Sequence, residues 1–174
     1  MLVPAITYKE EIEQQFKIIQ YTDKYLWYTG SIDNYDIEVK TEGDKFAFAI
    51  VHSGQAIGYI SFRVDWYCSM AYNFGFIKFL PHYFDNTKLE YRNSTPLMVS
   101  AIREVMRMIE SFNLHRIDFR CVSGNPAAKK YYKIVERQTD YRYRITSFFD
   151  NIRDKQGNYH DTIVYELIRR EVCG

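Results

Sequence analysis

The chain has 174 residues, 47% of them hydrophobic and 17% aromatic, with 23 basic and 22 acidic side chains. That length and apolar content fit one domain, residues 1–174, with a core large enough to need no disulfide or metal staple. A net charge of +1 spreads no field of one sign, which argues against nucleic acid or an anionic membrane as the dominant partner.

Residues Glu10–Tyr21 carry Ile12, Phe16 and Ile19 at helical spacing, with Glu10, Glu11 and Glu13 near the start, where acidic groups suit the helix dipole. A first strand is expected within Val3–Tyr8, before this helix. Tyr25–Gly43 reads equally as a short helix or a loop. From Lys45 the period changes to two: Phe46, Phe48 and Ile50 alternate with small neighbours, and His52-Ser53-Gly54-Gln55 reads as a turn. Ile57–Asp65 and Ala71–Phe79 are the next strands. Short turns join antiparallel neighbours, so the three form a meander.

Leu80–Ser94 is a long polar and aromatic connection. Thr95-Pro96 then opens a helix, with a hydroxyl as cap and proline at the first position. Met98, Ile102, Val105, Ile109 and Phe112 form one apolar stripe, with Arg103, Arg107 and Glu110 opposite and Asn113 as the stop. His115–Val122 is a strand with Ile117, Phe119 and Cys121 on one face and Arg116, Asp118 and Arg120 on the other. Strand, long helix, strand implies a parallel crossover. Asn125–Glu136 is a further helix. Asp140–Phe149 and His160–Arg169 are strands joined through the turn signal Lys155-Gln156-Gly157-Asn158. The expected class is α+β: a central mixed, mostly antiparallel sheet with helices on both faces.

Cys68, Cys121 and Cys173 are odd in number and lack a Cys-x-x-Cys pair, so a reducing compartment is expected, with Cys121 as a small core residue. His52, His82, His115 and His160 lack metal-site spacing, and no metal is expected. The start of the chain does not read as a signal peptide and no apolar run reaches spanning length, which gives a cytoplasmic expectation.

Three local patterns carry a resemblance. Asn125-Pro126-Ala127-Ala128 with Tyr132 following is similar to the Asn-x-x-Ala-x-x-x-Tyr helix of the GNAT N-acetyltransferases. Leu114-His115-Arg116-Ile117 before a strand resembles the branch that acetylates protein N-termini and ribosomal proteins. Gly157–Thr162, running into Ile163–Leu167, resembles that branch's closing hairpin. The resemblance covers nearly the whole chain and implies the GNAT-like (acyl-CoA N-acyltransferase) fold, with acetyl-CoA as co-substrate. The acceptor it implies is an amine, on a protein N-terminus or a small molecule. A homodimer is compatible with it.

By the same resemblance, Tyr132 is the catalytic acid and lies at the cofactor sulfur. A phenol, with a pKa of about 10, stays protonated at neutral pH and can give its proton to a departing thiolate. Main-chain groups of Phe76, Ile77, Lys78 and Phe79 would hold the pantetheine arm and thioester. Asn125 would cap its helix or bond the arm. Arg92, Asn93, Ser94 and Thr95 would meet the diphosphate at a helix N-terminus.

The chain also departs from the family pattern. Arg92-Asn93-Ser94-Thr95-Pro96-Leu97 stands where a glycine-bearing phosphate loop belongs, and Glu136-Arg137 where Gly-Phe belongs. Asn73 occupies the strand position of the usual glutamate base; Asp65, His82 and Asp85 are the nearby titratable groups. Three readings follow: an N-acetyltransferase, a degenerate protein of the same fold acting as a CoA-binding or interaction module, and an unrelated α+β binding domain with an aromatic groove. Thr95-Pro96 as a plain helix cap and Tyr132 as a packing residue belong to the latter two.

Overall fold

The computed structural model describes residues 1–22, 39, 43–79, 94–123, 133, 141–153 and 157–169. Its strands are β1 Leu2–Pro4, β2 Lys45–His52, β3 Gln55–Asp65, β4 Met70–Lys78, β5 Arg116–Val122, β6 Tyr141–Arg153 and β7 Tyr159–Arg169. Helix α1 spans Lys9–Thr22, entered by a 3-10 turn at Ala5–Tyr8, and helix α2 spans Ser94–Ser111. The strands form one 7-stranded sheet in the order β1-β2-β3-β4-β5-β7-β6. Every pairing is antiparallel except β4 with β5. The sheet is therefore mixed and mostly antiparallel, as expected; the first strand, expected within Val3–Tyr8, lies earlier at Leu2–Pro4, and Ala5–Tyr8 is the 3-10 turn.

The two faces of the meander are sorted by residue size. Phe46, Phe48 and Ile50 of β2 join the core under α2, while Ala47 and Ala49 face the core under α1. Small side chains there let α1 approach: Ile12 and Phe16 are buried, and the Phe16 ring meets Tyr59 and Phe79 edge-on at 5.5 and 5.8 Å. Burying a side chain such as Ile12 stabilises by about 1.5–3 kcal/mol. The β2–β3 turn holds Ser53 and Gly54 at φ 47° and 79°, the double left-handed geometry that suits a two-residue hairpin.

On the other face lies α2. Met98, Ile102, Val105 and Ile109 of its stripe are buried, and Ala101 and Met106 widen it. Arg103 and Arg107 point outward. The helix stops at Ser111, and Asn113 takes φ 56°, the left-handed position that asparagine tolerates after a helix. Its start differs from expectation: Ser94 is already helical, so Thr95 lies within the first turn and does not precede it. Beyond the helix, Ile117, Phe119 and Cys121 of β5 point into the α2 core, and the crossover from β4 to β5 is parallel.

Three expected segments fall mostly outside the described residues; of the connection Leu80–Ser94 only Ser94 is described. Within Tyr25–Gly43 only Val39 and Gly43 are described, and within Asn125–Glu136 only Lys133, which is helical. No described helix is long and apolar enough to cross a membrane.

Candidate functional site

The parallel partners β4 and β5 separate almost as soon as they meet. Among the described residues they pair at Met70–Arg116 and Ala71–Ile117. Each stays tied to its other neighbour much further: β4 to β3 as far as Lys78, and β5 to β7 as far as Val122. The sheet is thus split into two antiparallel halves joined at one point. The gap between them widens toward the C-terminal ends of both strands.

The junction is pinned from the start of β5. The Ser69 carbonyl accepts from the N–H groups of His115 and Arg116 at 2.9 and 3.1 Å, and Ser69 Oγ accepts from His115 N–H at 3.1 Å. The divergence has a cause in β4. Its register with β3 runs Ser61–Gly75 and then Arg63–Tyr72, so Asn73 and Phe74 together oppose Phe62. Asn73 takes φ 52°. One inserted residue makes a bulge, bends the strand and increases its twist, here just beyond the junction. It also inverts the parity of everything after it. Ala71 faces α2, and so do Phe74 and Phe76, while Ile77 and Phe79 face α1.

At the wide end of the gap sits the start of α2. Gly58 pairs with Lys78 across β3 and β4, and fully buried Met98 lies directly over it. A Cβ at residue 58 would stand 2.7 Å from Met98 Cε and 2.8 Å from the Ile77 carbonyl oxygen. Only glycine permits this approach, and it brings the first turn of α2 beside the end of β4. That turn presents N–H groups with no partner inside the helix, at the positive end of the dipole.

The four β4 residues expected to hold a cofactor divide into two kinds. Phe79 N–H donates to the Ile57 carbonyl at 3.0 Å. In an antiparallel ladder successive residues turn their main-chain groups to alternate sides. Phe79 and Ile77 therefore address β3, whereas Phe76 and Lys78 address the gap. Phe79 is also wholly buried against Phe16. Ser94 and Thr95 are the first residues of α2, at the mouth of the gap. Arg92, Asn93, Asn125 and Tyr132 lie outside the described residues, as do His82 and Asp85.

Asp65 is removed as a base by its position. It closes β3 in the turn at the narrow end, where its carboxylate accepts from Cys68 N–H at 2.8 Å. That hydrogen bond holds it below the ordinary carboxylate range. Asn73, exposed on the bulge, is the residue standing at the junction itself.

A charge network missed by the sequence reading braces the far half of the sheet. Asp118 and Glu166 lie opposite each other on β5 and β7, both buried. Two like charges so placed repel unless cations intervene. Arg116 donates to both Asp118 oxygens at 2.6 and 2.7 Å and stands 2.5 Å from Glu166 Oε1, while Arg144 Nε donates to Glu166 Oε2. The hydrogen bond from Arg144, with the nearby charges of Arg116 and Arg144, outweighs burial and keeps Glu166 below its ordinary pKa. It is held as an anion and is unsuited to accept a proton. The available signal was Arg116, Asp118 and Arg120 alternating along β5, together with Glu166 inside the largely apolar run Ile163–Ile168 of β7. Among the described residues, no group of three or more His, Cys, Asp or Glu could hold a metal ion.

No family model matches the sequence, and no curated protein matches it. Solved structures do. An acetyltransferase of the GNAT family from Streptococcus pneumoniae is similar at 13% identity and TM-score 0.69, covering 97% of this chain and 99% of that one. The ribosomal-protein-S18-alanine N-acetyltransferase from Escherichia coli is similar at 11% identity and TM-score 0.64, covering 100% of this chain and 97% of that one. The microcin C7 self-immunity acetyltransferase MccE, solved with acetyl-CoA and AMP, is similar at 15% identity and TM-score 0.64, covering 95% and 89%. These likenesses concern the fold, and they set aside an unrelated α+β architecture. A meander, a crossover helix, a sheet parted between β4 and β5 and a closing β6–β7 pair, matched end to end, give this chain the fold of the GNAT acetyltransferases.

Proposed function

We propose that the protein is an acyl-CoA-dependent N-acetyltransferase, and that the gap between β4 and β5 is where the thioester lies. The observation that carries this reading is the two-residue junction at Met70–Arg116 and Ala71–Ile117, which leaves the facing edges of two strands open to a narrow ligand. Main-chain groups of Phe76 and Lys78 line one edge, as the pantetheine arm with its two amides requires. Ile77 and Phe79 shape that edge from behind. The first turn of α2, with Ser94 and Thr95, faces the diphosphate, and Arg92 and Asn93 precede it in sequence. Asn125 and Tyr132 follow β5, the opposite wall, in sequence. Structural relatives that are acetyltransferases, one of them holding acetyl-CoA, support the same assignment.

The chemistry is direct attack in a ternary complex. The neutral amine nitrogen adds to the thioester carbonyl carbon, the C–S bond breaks, and Tyr132 gives its phenolic proton to the departing thiolate. The proton lost by the amine passes through water to bulk, and the Tyr132 phenolate takes one proton back from water to restore the acid. Asn73 stands where the family's usual glutamate base belongs, so an acceptor that loses its proton cheaply suits the site best. Deprotonating a lysine amine of pKa ~10.4 at pH 7 costs about 4.6 kcal/mol, against about 1 kcal/mol for an α-amine near ~7.8. The acceptor is therefore an α-amine of a protein or peptide, or a small molecule with an amine of low pKa. A cytoplasmic location is part of this reading, because acetyl-CoA and the reducing conditions that suit unpaired cysteines are both available there.

Calorimetry with acetyl-CoA and desulfo-CoA, followed by an acetylation assay on paired peptides with free α-amines or lysines, tests this. Micromolar binding and transfer to the α-amine are expected. A Tyr132→Phe variant should bind as before and turn over at least tenfold more slowly. Unchanged turnover would remove Tyr132 from the acid role. Binding without transfer to any amine would favour the degenerate module, the reading that the glycine-free stretch at Arg92–Leu97 supports.

A further inference from the structure

Resting on the reading of the β4–β5 gap as a thioester site, we infer that Phe74 and Phe119 gauge the acyl chain, admitting acetyl and refusing chains of four carbons or more. Their rings meet across the narrow end of the gap, with centroids 4.3 Å apart and planes tilted by 39°. One ring comes from β4 and the other from β5, directly beyond the last paired residues, Ala71 and Ile117. Whatever enters from the wide end stops against this pair.

The two sides of that narrow end differ in chemistry. The α2 side carries Phe74 and Phe119, in or against the apolar core. The other side carries Tyr72, Asp118 and Arg120, by the alternation of the strands. An acyl methyl lowers its free energy on the apolar side, and a polar amine on the other. The acyl tail is thus turned toward the rings and the acceptor away from them.

The rings cannot swing aside cheaply. Phe74 stacks on Phe62 at 5.3 Å, and Phe62 stacks on Phe46 at 5.0 Å. Phe46 in turn meets Phe112, just past the end of α2, at 5.2 Å. This row crosses β2, β3, β4 and β5 and is braced by the helix at its far end. The bulge at Asn73 creates the gauge: without the inserted residue, Phe74 would fall on the opposite face of β4.

The test is calorimetry with CoA, acetyl-CoA, butyryl-CoA and hexanoyl-CoA on the wild-type chain and on the Phe74→Leu and Phe119→Leu variants, with circular dichroism confirming the fold. In the wild type, butyryl-CoA and hexanoyl-CoA should bind at least tenfold more weakly than acetyl-CoA. In each variant, affinity for CoA itself should hold within twofold, and the butyryl-to-acetyl ratio should rise about tenfold. Full burial of the two extra methylenes, at roughly fourfold each, would raise it about sixteenfold, so a tenfold rise reports nearly complete burial. Equal wild-type affinities along the series would overturn the gauge without any variant being needed, as would a ratio unmoved in both folded variants. Those outcomes leave CoA binding intact and refute the gauge alone. Failure of CoA and acetyl-CoA to bind the wild type would instead refute the thioester site, and the gauge with it.

Discussion

Replacing Gly58 by alanine adds one methyl group where the structure has no room for it. The new Cβ would lie 2.7 Å from Met98 Cε and 2.8 Å from the Ile77 carbonyl oxygen. The methionine end can turn, but Met98 is fully buried, so it has little space to turn into. The carbonyl belongs to the β3–β4 ladder and moves only with the strand. Overpacking of this kind costs about 1–3 kcal/mol, and one rigid contact puts Gly58→Ala in the upper half of that range. The smaller entropy loss of alanine relative to glycine returns about 0.5 kcal/mol. The net is a destabilisation of about 2 kcal/mol, or a shift of about 1 M in the urea midpoint for a slope near 2 kcal/mol per molar. A Met98→Ala partner variant removes one of the two contacts. Gly58→Ala should then cost about 1 kcal/mol less in the Met98→Ala background than in the wild type. A Gly58→Ala midpoint within about 0.25 M of wild type, which is about 0.5 kcal/mol at that slope, would refute the claim that close contact fixes the start of α2 beside the end of β4.

Two further perturbations probe the electrostatics. Glu166 is held ionised mainly by Arg144, so it stabilises the fold above its unfolded pKa of about 4.3 and loses that contribution as pH falls through its lower folded value. Glu166→Gln should cost about 1.5–3 kcal/mol at pH 7, the range for a hydrogen bond to a charged group, and the two stability curves should converge below about pH 4; parallel curves from pH 7 to pH 3 would contradict this. The exposed Cys68 thiol is raised above its ordinary pKa by the hydrogen bond and charge of Asp65. Asp65→Asn should therefore speed iodoacetamide labelling of Cys68 at pH 8, read by peptide mass mapping; an unchanged or slower rate would sink the argument.

What the sequence reveals here is what depends on neighbours along the chain. The α2 stripe from Met98 to Ile109, the alternation of Phe46, Phe48 and Ile50, and the inward set Ile117, Phe119 and Cys121 all follow from periodicity, and burial bears each of them out. Features that depend on pairing were hidden. Nothing local says that β4 leaves β5 after Ala71, because the register belongs to two strands separated by a whole helix. The bulge was hidden too: Ala71 and Phe74 share a face although three positions apart, a spacing that regular alternation forbids. Gly58 reads as an unremarkable strand glycine until Met98 is seen above it. The opposed carboxylates of Asp118 and Glu166 likewise become a network only once Arg116 and Arg144 arrive on the same face. Of the site residues expected from the resemblance, Phe76 and Lys78 turn their main chain toward the gap, Ile77 and Phe79 turn theirs toward β3, and Ser94 and Thr95 begin α2. Arg92, Asn93, Asn125 and Tyr132 lie outside the described residues.

A crystal structure of the chain with acetyl-CoA tests the central claim most directly. The thioester should lie between residues 74–78 of β4 and residues 118–122 of β5, its diphosphate at the first turn of α2 and its methyl group toward Phe74 and Phe119. Acetyl-CoA bound elsewhere, or β4 and β5 closed against each other beyond Ala71 and Ile117, would contradict the account.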